Sequence, residues 1–118
     1  ISVDRYNNEV ALFNETVKLY NSSVEQLNRF IHYRNATFVP EKEESEVRGM
    51  LAVCDENIGK ALYYLSVIRM NEGEIATAVA DLKRQIITLH AEVGKHQVFL
   101  DTYYSTPLEN RKSLFLKP

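Results

Sequence analysis

The sequence is poor both in residues that interrupt helices and in residues that carry most site chemistry. Four glycines and three prolines in 118 residues are too few for a sandwich or small barrel, which needs a turn about every 8–12 residues. The single cysteine, Cys54, excludes an intrachain disulfide. It falls on an apolar helical period, which reads as a small buried hydrophobe rather than a reactive thiol. The longest uncharged run, Ala61–Ile68, has eight residues, well short of the roughly 18 that a membrane-spanning helix requires. No Gly-x-Ser-x-Gly, phosphate-binding loop or dinucleotide fingerprint is present. His32, His90 and His96 fit neither His-Glu-x-x-His nor the Glu-x-x-His element of two-metal carboxylate bundles. The expectation is a protein that is not an enzyme, with no catalytic residue, metal or cofactor.

Charge is equally unspecific. A formal net charge of −2, from 14 basic and 16 acidic residues, offers no basic field for nucleic acid. Acids gather mildly at Glu41, Glu43, Glu44 and Glu46, where they suit the first turn of a helix.

What the sequence has in abundance is helical period. From Tyr6 to Pro40 it reads YNNEVAL, FNETVKL, YNSSVEQ, LNRFIHY, RNATFVP. Val3, Val10, Val17, Val24 and Ile31 recur at one heptad position, here called a. Tyr6, Phe13, Tyr20 and Leu27 recur at d, until Arg34 breaks the series. Spacing of three and four sustained over four heptads is a helix-packing seam. A second seam runs Val47, Leu51, Cys54, Ile58, Ala61, Leu65, Ile68, and a third Ile75, Val79, Leu82, Ile86, Leu89, Val93, His96, Leu100, Tyr103. Pro40 suits the first turn of the second helix. Asn71 and Glu74 stand at capping-box spacing before the third, and Thr106-Pro107 closes it.

The fold expected is all-α, an elongated antiparallel up-down-up three-helix bundle with helices over about 3–36, 41–70 and 72–105. Residues 1–105 form the domain and 106–118 a C-terminal tail. That tail, or dimerisation, would complete the bundle.

Asn7, Asn14, Asn21, Asn28 and Asn35 fill every e position of the first helix. Each costs helix propensity, so a compensating interaction is expected: bridging at the bundle's own boundary, or a polar stripe that recognises a partner. Leu12, Leu19 and Tyr33 at c widen the apolar face, and with the asparagines they make the candidate interaction stripe. Asn14, Asn21 and Asn35 also begin Asn-x-Ser/Thr sequons. His96 is either a satisfied core histidine or a pH-sensitive joint. The tyrosine pairs 63–64 and 103–104 read as aromatic core ends or as the lining of a small apolar pocket.

The Tyr-Asn-x-x-Val heptad is similar to stretches of LemA-like helical-bundle proteins over the first helix alone. That resemblance implies a bacterial, extracytoplasmic or membrane-anchored setting and no assigned catalytic role. The function expected is a non-catalytic helical-bundle interaction or structural module. Its partner would be another protein or a second copy, with no nucleic acid and no membrane span in this segment. The alternative is a sensory or carrier bundle that binds a small apolar ligand between helices.

Overall fold

The computed structural model describes residues 2–36, 44–69 and 73–115. Ser2 opens the first helix: its hydroxyl accepts the Arg5 N–H at 3.2 Å and its carbonyl accepts the Tyr6 N–H at 3.0 Å. A serine at this position satisfies one of the amide donors that a helix start leaves unpaired. Helix α1 runs Val3–Ala36, α2 Glu44–Val67 and α3 Gly73–Ser105, followed by a 3₁₀ helix, Leu108–Phe115. The described residues contain no strand.

The expected end of α2 at residue 70 is corrected to Val67. The Arg69 N–H is donated at 3.0 Å to the Glu9 carboxylate of α1, so a side chain takes the donor that would have continued the helix. Residues 37–43 and 70–72, and with them the readings of Pro40 and Asn71 at helix starts, lie outside the described residues. Gly73 starts α3 with φ of 70°, a left-handed conformation that a Cβ disfavours.

Contacts between Glu9 and Arg69, Ser22 and Asn57, and Ser23 and Cys54 run in opposite chain directions, so α1 and α2 are antiparallel. Arg48 with Asp101 and Asp55 with Gln97 do the same for α2 and α3. The molecule measures 63 × 24 × 21 Å. Long helices packed side by side have these proportions, since a helix rises about 1.5 Å per residue.

The seams of α2 and α3 are buried as their periods require. Val47, Leu51, Cys54, Ile58, Ala61 and Leu65 pack with Leu82, Ile86, Leu89, Val93 and Leu100 in one core. The seam of α1 is broader than its a and d positions. Leu27 at d lies in the core, and Phe13, Val17, Tyr20, Val24 and Ile31 pack against it. The most buried line, however, is the g position, Glu9, Thr16, Ser23 and Phe30, while Val10, Val17, Val24 and Ile31 at a are half-buried. At the start of the helix Val3 is 73% exposed and Tyr6 51% exposed.

The cause is close approach. The Ser23 hydroxyl donates to the Cys54 carbonyl at 3.5 Å, and the Cys54 thiol reaches the Ser23 carbonyl at 3.6 Å. Thr16 satisfies its own hydroxyl on the Leu12 carbonyl at 2.8 Å, so it can be buried without a partner from another helix. Small side chains let the two backbones come together where valine or leucine would hold them apart.

The tail closes one end. Arg111 donates from Nε to the Thr106 carbonyl at 2.9 Å and from Nη2 to the Tyr104 carbonyl at 3.4 Å. Its guanidinium lies 5.0 Å from the Tyr103 ring centroid. The tail thus caps carbonyls that the end of α3 would leave unpaired.

Glycines give a test with opposite signs. Nothing lies within 4 Å of a Cβ added at Gly59, whereas Gly73 has positive φ. Gly59→Ala should stabilise by about 0.5–1 kcal/mol and Gly73→Ala destabilise by about 1–2 kcal/mol, both read from urea midpoints.

Candidate functional site

The residues proposed from sequence as one stripe separate into two lines on α1. Positions c and e lie about 160° apart around a helix that turns 100° per residue. Leu12, Leu19 and Tyr33 are half-buried, and Leu19 joins the core. Asn7, Asn14, Asn21 and Asn28 are all exposed. The Asn35 side chain lies outside the described residues. The asparagines thus form an edge facing solvent beside the half-buried valines at a, while the c line belongs to the bundle's own packing.

The second residues after Asn14 and Asn21 serve the core. Thr16 and Ser23 are fully buried, with relative exposure of 0%. Their hydroxyls bond to backbone carbonyls, which accounts for hydroxyl residues at these positions without any glycan.

α1 packs chiefly on α2, and α3 touches α2 more than it touches α1. A groove of about 500 Å³ runs between α1 and α3. Tyr20, Val24 and Leu27 make its α1 wall, and Asp81, Gln85 and Glu92 are among the polar residues of the opposite wall. The Asp81–Arg84 ion pair lies on that side. On the outer surface of α1 a shallower depression is lined by Asn21, Val24, Glu25, Asn28, Arg29 and His32. Two members of the asparagine edge therefore border concave surface that also exposes apolar atoms.

Where α1 does meet α3, the contact is polar and aromatic. Arg34 Nη1 lies 3.3 Å from His96 Nδ1, and its guanidinium stands 3.8 Å over the Phe99 ring. The His96 ring meets Phe30 edge-on at 5.3 Å between centroids. Burial first, and the neighbouring Arg34 charge second, hold the imidazole below the ordinary histidine range. Burial also lowers the Arg34 guanidinium from its usual value. Sequence reading treats Arg34 as an interruption of the d series; in the fold it is the side chain that ties the helices together. A basic residue in the last turn also faces the negative end of the helix dipole.

Glu9 is the residue that sequence reasoning misses altogether. Its side chain is 7% exposed and lies 3.7 Å from Arg5 Nε, and its carboxylate accepts the Arg69 N–H. A glutamate between exposed helix positions carries no sequence signal of such burial. Cys54 is buried as expected, and burial pushes its thiol pKa up. Tyr103 is buried at a core end, stacked with Phe99 at 5.9 Å and edge-on to Tyr104 at 5.1 Å. Tyr63 is exposed.

Among the described residues no group of three or more His, Cys, Asp or Glu is placed to hold a metal ion. No described helix is long and apolar enough to cross a membrane. Comparisons with protein-family models, curated proteins and solved structures return no match. The likeness to LemA-like proteins therefore remains a resemblance of one helical repeat.

Replacing Asn7, Asn14, Asn21 and Asn28 together by alanine should leave the fold intact. It should raise the urea midpoint, by an amount that corresponds to about half a kcal/mol of stability per site, because alanine is the better helix former. A drop in the midpoint would mean that the carboxamides brace the bundle instead.

Proposed function

We propose that the chain is a non-catalytic helical-bundle module whose role is association, through the α1 edge, with another protein or a second copy. The observation that carries this reading is the set of four exposed carboxamides, one per heptad, beside the half-buried row Val10, Val17 and Val24. Asparagine inside a helix costs about half a kcal/mol or more per site relative to alanine. Among the described residues no side-chain hydrogen bond within the bundle offsets that cost for these four. A partner helix lying along the edge would supply both apolar contact and amide hydrogen bonds that fix its register, as asparagine does in coiled-coil interfaces.

The buried polar groups support a non-catalytic reading. Glu9, Thr16 and Ser23 are each engaged with backbone, and their roles are structural. The alternative, a carrier of a small apolar ligand, has the α1–α3 groove in its favour. Its α3 wall carries Asp81, Arg84 and Glu92 beside Leu89, and desolvating those charged groups opposes the entry of an apolar ligand. An extracytoplasmic or membrane-anchored bacterial setting is supported by the LemA-like heptad alone.

Sedimentation velocity with photo-crosslinking from position 21 tests the association. Wild type should self-associate, or crosslink to a partner at that position. Asn21→Lys should weaken association at least about tenfold, or roughly 1.4 kcal/mol, at unchanged melting temperature. A strict monomer that crosslinks to nothing would contradict the proposal.

A further inference from the structure

A guanidinium carries no lone pair and keeps its charge at all ordinary pH. The 3.3 Å contact between Arg34 Nη1 and His96 Nδ1 is therefore a hydrogen bond only while Nδ1 is bare and the ring neutral. A proton on Nδ1 removes the acceptor and sets two cations side by side. We propose that this contact is an acid-released latch between α1 and α3, closed while His96 is neutral and opened when His96 takes up a proton.

The location gives the latch its leverage. Towards the middle of the bundle the two helices face each other across the groove rather than through close packing. Releasing Arg34 would also loosen its stack on Phe99 and uncover Phe30, which is fully buried against the His96 ring. Opening thus exchanges a polar contact for exposed aromatic surface.

The charges around His96 favour the neutral ring. From α1 the facing charge is Arg34. From α3 it is Glu92, one turn earlier, which favours the protonated form but is paired with Lys95 at 3.1 Å. From α2 the charges turned toward α3 are Asp55 and Arg48, engaged by Gln97 and Asp101. Burial and Arg34 outweigh Glu92. The folded state therefore binds the proton less readily than the unfolded chain, whose histidines titrate near pH 6.5 or so. The stabilising effect of the neutral ring is complete above that pH and is lost as the pH falls below it toward the folded value.

The test follows the His96 ring protons by NMR across the acid range. In parallel, a spin-label pair at the exposed positions 28 and 88 reports the α1–α3 distance. The expected result is a His96 pKa below the ordinary range and a distance that lengthens as His96 titrates. The variant H96Q, checked for fold by circular dichroism, should lose the acid-dependent lengthening. The variant R34Q should move the His96 pKa up toward the ordinary value, a readout that a purely structural role for Arg34 would not shift. Titration of His96 at or above the ordinary value would overturn the latch. So would proton uptake without lengthening, equal lengthening in H96Q, or global unfolding before His96 titrates.

Discussion

Everything in this bundle is arranged around the close approach of α1 to α2 at Ser23 and Cys54. Each of these side chains reaches the other's backbone carbonyl, which requires both helices to present something small at the crossing. Thr16 on α1 and Ala61 on α2, both buried, extend the same requirement along the helices. Burial of the Thr16 and Ser23 hydroxyls costs little because each has a backbone carbonyl to bond. Packing at this spacing rotates α1 so that its g line is the most buried, and the apolar a row lies half-buried at the edge of the core.

That rotation explains the rest of the architecture. The valines at a must then be covered from the α3 side, and α3 packs on α2 more than on α1. A groove is left along the seam, closed at one end by Arg34, His96, Phe30 and Phe99. Arg111 seals the adjoining end of α3. The described part of the tail therefore completes the helix terminus, and Asn7, Asn14, Asn21 and Asn28 stay exposed. The proposed association and the proposed histidine latch both draw on this one consequence: α1 packs chiefly on α2 and only in part on α3.

Sequence alone reveals the helices, two of the three buried faces and part of the third. Periods such as Val47-Leu51-Cys54-Ile58 are legible because apolarity and burial coincide there. On α1 they part company. Thr16 and Ser23 are polar by composition yet fully buried, and an apolar-period reading assigns the seam to a and d instead. Glu9 and Arg34 were illegible for the same reason: their burial depends on partners, Arg69 and His96, some sixty residues distant. The asparagine edge was visible in sequence, but its separation from Leu12, Leu19 and Tyr33 follows only once the buried line is known. The fold was thus readable from local pattern, while the rotation of α1, which decides what is left exposed, depends on long-range contact.

The orientation of α1 against α2 is most directly measured by thiol crosslinking to the native Cys54. In a Ser23→Cys variant under mild oxidation, the two thiols sit across the close contact and should form an intramolecular disulfide, while Val24→Cys should stay reduced. Rapid crosslinking from position 24 with position 23 inert would place the a row on α2 and contradict the packing described here.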